Sequence, residues 1–137
     1  MTTPPDVSFL REQRLLVWRP RGVLDEKTVN GIIAFIGAEE ATSQTPFHRF
    51  SDVTAIEAVD LNFKYIFHVA LYRRLSYAGR PPVKSAFLVK EEQTAHYTRL
   101  HAMITDRSPL QVKIFEDLAA AAAWLNVPTA CLTIPTP

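Results

Sequence analysis

The spacing of hydrophobic positions changes several times along the chain, and each change marks a new element. Val7–Arg11 and Arg14–Arg19 are short apolar-rich runs with Glu12 and Gln13 between them. So short a connection predicts an antiparallel hairpin. Leu15, Leu16, Val17 and Trp18 are apolar at both parities, which predicts a second strand buried on both faces, ended by Pro20 and Gly22. Val29, Ile32, Ile33 and Ile36 then recur at i, i+3, i+4 and i+7, the stripe of a core-facing helix. Asp25 is placed to cap that helix, with Glu26 in its first turn. Thr42 to Pro46 read as its exit loop, and Phe47–Val53 as a third strand. A strand reached through a helical crossover pairs in parallel, with a right-handed turn.

From Phe50 to Arg74 the pattern predicts a strand end, an acidic loop and an amphipathic helix capped by Asp60 or Asn62. On a helical wheel Phe63, Ile66, Phe67 and Ala70 share the face assigned to the core. Tyr65, Val69 and Tyr72 share a second face assigned outward, and an outward aromatic face predicts an oligomer interface, that of a homodimer or higher oligomer. Val83–Val89 follows as a strand. Glu91–Ile104 reads as a helix with Tyr97, Leu100, Met103 and Ile104 inward, and Leu110–Phe115 as an alternating strand. Asp117 caps a last helix, Leu118–Leu125, whose alanines favour helix intrinsically. Pro128, Pro135 and Pro137 predict an extended tail over residues 128–137, in which Leu132, Thr133 and Ile134 join a sheet edge or cross to a partner. The order is ββαβαβαβα: one α/β domain over residues 1–127, with a mixed, mostly parallel five-stranded sheet and about four helices.

Composition narrows the function classes. Fifteen basic residues against fourteen acidic ones leave a formal net charge of +1. Bulk attraction to nucleic acid needs a clear positive excess, so no nucleic-acid partner is expected. Cys131 is the one cysteine, no apolar run has the length of a membrane span, and the N-terminus is not signal-like. A bacterial-type cytoplasmic protein is the expectation.

Candidate chemistry is sparse. His96 and His101 are five apart and diverge by about 140° on a helix. With His48 and His68 elsewhere, no metal set is expected. No nucleophile elbow is present, and the four glycines form no phosphate-cradling loop. No enzyme activity and no cofactor are expected; the alternative is catalysis by Asp52 with Arg21. Acids gather where helices begin, at Asp25, Glu26, Asp52, Asp60, Glu91, Glu92, Glu116 and Asp117, as helix dipoles favour. Asp52, Glu57 and Asp60 form the candidate interaction loop. The opposite edge is basic, through His48, Arg49, Arg73, Arg74, Arg80 and Lys84. Arg49, Arg73, Arg74 and Lys84 are the candidate anion-binding residues, for a phosphate or a lipid head group.

The element order, the segment from Val112-Lys-Ile-Phe-Glu-Asp-Leu to Ala123-Trp-Leu125, and the Gly22-Val-Leu-Asp-Glu start of the first helix resemble the SpoIIAA-like family. That family is related to STAS domains and more loosely to CRAL-TRIO lipid-binding domains, and the resemblance spans about Val7 to Val127. It implies a STAS-like fold that works by protein–protein contact. Anti-anti-sigma STAS domains carry a phosphorylatable Asp-Ser pair before the second helix; here the equivalent is Asp60-Leu61, which has no hydroxyl. The phosphoserine switch is therefore not expected. The CRAL-TRIO likeness implies the alternative, a lipid or small-molecule pocket where the third and fourth helices open from the sheet, lined by Ile104, Leu118 and Trp124.

Overall fold

A computed structural model describes residues 6–43, 46–90, 92–105 and 108–133. Strands β1 (Val7–Leu10) and β2 (Leu15–Trp18) form the expected antiparallel hairpin, with Leu10 opposite Leu15. Strands β4 (His48–Asp52), β6 (Val83–Leu88) and β7 (Leu110–Phe115) add in parallel, giving one mixed sheet in the order β1-β2-β4-β6-β7. Each crossover steps the same way across the sheet. The right-handed rule then puts α1 (Glu26–Ser43), α2 (Phe63–Ser76) and α3 (Glu92–Ile104) on one face. Beyond the edge strand β7, α4 (Leu118–Leu125) returns across the other face.

Strand parity divides the core into two layers. Leu15, Val17, Phe50, Ala86 and Leu88 pack against Ala121, Ala122 and Leu125 of α4. Leu16 and Trp18 meet Ile32, Phe35 and Ile36 of α1 on the other side. Burial of side chains of this size contributes roughly 1.5–3 kcal/mol each.

The sequence reading missed two short strands. After β2, Pro20 supplies no N–H to continue the ladder, and Gly22 takes the left-handed φ of 74° that glycine tolerates. The chain then re-extends as β3 (Gly22–Asp25), pairing in parallel with β5 (Ile56–Asp60), the segment expected as acidic loop. This ribbon lies in the chain just before α1 and α2. Asp25 caps α1 through Thr28 N, and Asn62, rather than Asp60, caps α2 through Tyr65 N.

Three packing expectations are corrected. Ile66 and Ala70 of α2 are buried as expected, but Phe63 and Phe67 face solvent. Tyr65 and Val69 turn inward, because Tyr65 OH is held by Asn30 Oδ1 (2.6 Å) and the Glu26 carbonyl on α1; of the outward trio only Tyr72 is exposed. On α3, Tyr97 is half-buried and Met103 is exposed, while the side chains of Leu100 and Ile104 lie outside the described residues. The described part of the tail does not extend: Thr129–Leu132 form a 3-10 turn that seats Leu132 fully buried against α4 and the sheet. Ile134 lies outside the described residues.

Candidate functional site

The helix-facing side of β4 and β6 carries Arg49, Ser51 and Ser85, polar groups where apolar ones would be ordinary. They belong to the lining of a cavity of about 100 Å³ between the sheet and α1, α2 and α3. Leu24 of β3, Val59 of β5 and the following Leu61 line it from the ribbon. Most of its wall is aliphatic, including Ile32, Ile66 and Val69.

Its polar side is a buried charge cluster. Arg49 Nη2 donates to Glu40 Oε2 at 2.8 Å, with side-chain exposures of 2% and 6%. The same nitrogen donates to the Tyr77 hydroxyl, which in turn donates to Glu40 Oε1. The Arg49 guanidinium also lies over the Phe47 and Tyr77 rings, 5.5 and 5.0 Å from their centroids. Arg73 approaches from α2, its Nη1 3.4 Å from His101 Nε2 of α3. Burial, then the field of Arg49, pulls the Arg73 guanidinium down to about 10. Burial, then Arg73, pulls the His101 imidazole down to about 3, so it is neutral at pH 7. Burial chiefly raises the Tyr77 phenol, keeping it protonated. Two guanidinium groups thus share one carboxylate.

The hydrogen bonding is unbalanced in the same sense. Arg49 Nε and Nη1 and His101 Nδ1 are buried without partners among the described residues. Arginine can only donate, so His101 Nε2 accepts from Arg73 and its proton sits on Nδ1. All three unpartnered atoms are therefore N–H donors. They can bind an acceptor.

A larger cleft of about 570 Å³ opens beside the cluster, between the C-terminal halves of α1 and α2, with Glu40, Tyr77 and Arg80 in its lining. Ile33, Ile36 and Arg73 line both spaces.

Of the four expected anion-binding residues, Arg49 and Arg73 converge here and the others do not. Lys84 lies on the opposite face of the sheet, where Nζ donates to the Trp124 carbonyl at 2.7 Å. Arg74 follows Arg73 on α2 and is turned about 100° away. The acidic trio is also divided. Asp52, on β4, pairs with Arg19 at 3.1 Å and accepts from Thr54, while Glu57 and Asp60 are exposed on β5. Asp60 lies beside Asp25 in the ribbon register, and both border a shallow hollow with Glu26. Arg21 pairs with Asp6, away from Asp52, so the Asp52–Arg21 arrangement does not form. Glu91 lies outside the described residues. His48 Nδ1 accepts from Lys84 N, and no group of metal-ligating side chains gathers among the described residues. Helices α3 and α4 occupy opposite faces, so they do not line one pocket together with the sheet: α3 borders the cavity on its own face, and Leu118 and Trp124 pack on the α4 side, with Trp124 5.6 Å from Phe115.

Sequence reasoning did not single out Glu40, Tyr77 or His101 as a group. One signal was available: Arg49 sits between Phe47 and Phe50 in a run read as a buried strand, and a charge there demands a partner.

No protein-family model matches this chain, and no curated protein matches it. No helix among the described residues is long and apolar enough to cross a membrane. Among solved structures, an uncharacterised protein of the DUF3478 family from Shewanella loihica PV-4, with a SpoIIAA-like fold, superposes with a TM-score of 0.53. It is 18% identical in sequence, over 81% of this chain and 83% of that one. With the mixed sheet and four helices described above, the chain has a SpoIIAA-like α/β fold.

Proposed function

We propose that the chain is a non-catalytic contact domain, and that its partner is a second copy of itself docked along α2. The observation that carries this reading is the outer ridge of that helix. Phe63, Phe67, Leu71 and Leu75 are each four residues apart, so they form a single ridge, and they are 62%, 41%, 38% and 67% exposed. Exposed Tyr72 lies on the same helix, and exposed Met103 on neighbouring α3. Contiguous apolar surface of this kind is uncommon on a monomer and marks an interaction site. Charge favours a two-fold, antiparallel pairing. The N-terminal end of α2 adjoins exposed Glu57 and Asp60, whereas its C-terminal end carries Arg74 and is followed by exposed Arg80. Antiparallel docking sets these ends opposite each other and opposes the two helix dipoles.

Light scattering and sedimentation at tens of micromolar test this. Twice the monomer mass is expected for the wild type, and the monomer mass for a folded Leu71→Asp variant. A monomeric wild type, or a Leu71→Asp variant that still dimerises, overturns the reading. A second reading, a domain that holds a small molecule, is supported by the cavity beneath the three helices. Saturable ligand binding to the purified protein, with Val69→Phe filling the cavity as the control, tests it.

A further inference from the structure

We propose that the cavity under α1, α2 and α3 is a site for a small monocarboxylate with a short apolar chain, its carboxylate held by Arg49, Arg73 and His101. This inference rests on the small-molecule reading and is independent of self-association, since the outer ridge of α2 faces away from the cavity.

Charge comes first. Arg49 and Arg73 face Glu40, with His101 neutral, so among the described residues one positive charge is left uncompensated in a partly desolvated setting. Isolated buried charge is costly, and one added negative charge cancels it. A dianion such as phosphate would overcorrect. Hydrogen bonding points the same way. The three unpartnered atoms are all donors, and a carboxylate only accepts, with capacity for several N–H groups. A water molecule could accept from one or two of them but would leave the charge in place.

Size and wall chemistry set the remainder of the molecule. The cavity of about 100 Å³ is smaller than the roughly 150 Å³ that an engineered apolar cavity needs to hold benzene. It takes about four to five non-hydrogen atoms on that scale, the size of acetate or propionate. A long acyl chain does not fit within the cavity itself. Beyond the polar groups, the walls are Val29, Ile32, Leu61, Ile66, Val69 and Phe87, which suit a few methylene groups. Entry runs through the outer cleft, because Ile33, Ile36 and half-buried Arg73 border both spaces.

The test is calorimetric titration of the full chain with acetate, propionate, butyrate, hexanoate and octanoate, alongside butyramide and inorganic phosphate. Affinity should peak at propionate and fall by hexanoate, with butyramide at least tenfold weaker than butyrate and phosphate not saturating. Arg73→Met should weaken propionate at least tenfold, and Val69→Phe should abolish its binding, both with wild-type circular dichroism. If no compound binds up to tens of millimolar, the small-molecule reading falls together with this inference. If butyramide matches butyrate, if phosphate binds in preference, or if affinity keeps rising to octanoate, a small-molecule site stands but the monocarboxylate assignment is overturned.

Discussion

Replacing Glu40 with alanine removes the carboxylate that Arg49 meets at 2.8 Å in an almost fully enclosed setting. It also deprives the Tyr77 hydroxyl of its acceptor. Removing one partner of a buried pair leaves the other charge uncompensated, which costs about 3–5 kcal/mol. At about 2.1 cal/mol/K of unfolding entropy per residue, the 137-residue chain should lose roughly 10–17 °C in Tm. Substituting both partners, Glu40→Leu with Arg49→Met, leaves the net buried charge as it is in the wild type. That pair should return to within about 1–2 kcal/mol of the wild type, or exceed it. Urea denaturation, followed by circular dichroism and by the fluorescence of Trp18 and Trp124, measures all three proteins. A loss below about 1 kcal/mol for Glu40→Ala would place the ion pair in the range of exposed ones and refute its burial. A double variant no better than the single one would refute the electrostatic origin of the loss.

Two further outcomes follow from the geometry. His101 is depressed to about 3 in the fold against 6.5 when free, so the unfolded chain takes up the proton first as pH falls. Its contribution is complete above pH 6.5 and is lost as pH drops toward 3, amounting to about 2 kcal/mol by pH 5. His48, lowered chiefly by burial, adds in the same direction. Chemical denaturation near pH 7 and pH 5 should show this loss, reduced in His101→Gln; an equal loss in that variant removes His101 as the cause. At the other face, Asp117 accepts from Ala119 N at 3.1 Å, and Asp117→Ala should cost about 1 kcal/mol in urea, with unchanged stability counting against the cap.

The boundaries read most accurately are those with local causes. β7 runs from Leu110 to Phe115 and α4 from Leu118 to Leu125, as expected, because strict alternation and an aspartate cap beside an alanine run are short-range signals. The hairpin followed from a connection too short for anything else. Orientation was harder to read. Helix α2 has apolar residues nearly all round, so a wheel cannot choose between Phe63–Phe67 and Tyr65–Val69 as the inner face. The choice falls to the Tyr65 bonds with α1. β3 and β5 were likewise hidden: four- and five-residue segments carrying Asp25, Glu57 and Asp60 read as caps and loop until each supplies the other's ladder.

By itself, then, the sequence determined the ββαβαβαβα framework, the parity of the buried strands and the helix caps, because each depends on residues a few positions apart. Tertiary structure alone decided which side of α2 faces water and where Leu132 is buried. It also decided that Glu40, Arg49, Arg73, Tyr77 and His101 meet beneath the helices. Those five come from α1, β4, α2, the turn after α2, and α3. Only the crossovers bring them together, where low dielectric turns scattered charges into one buried cluster.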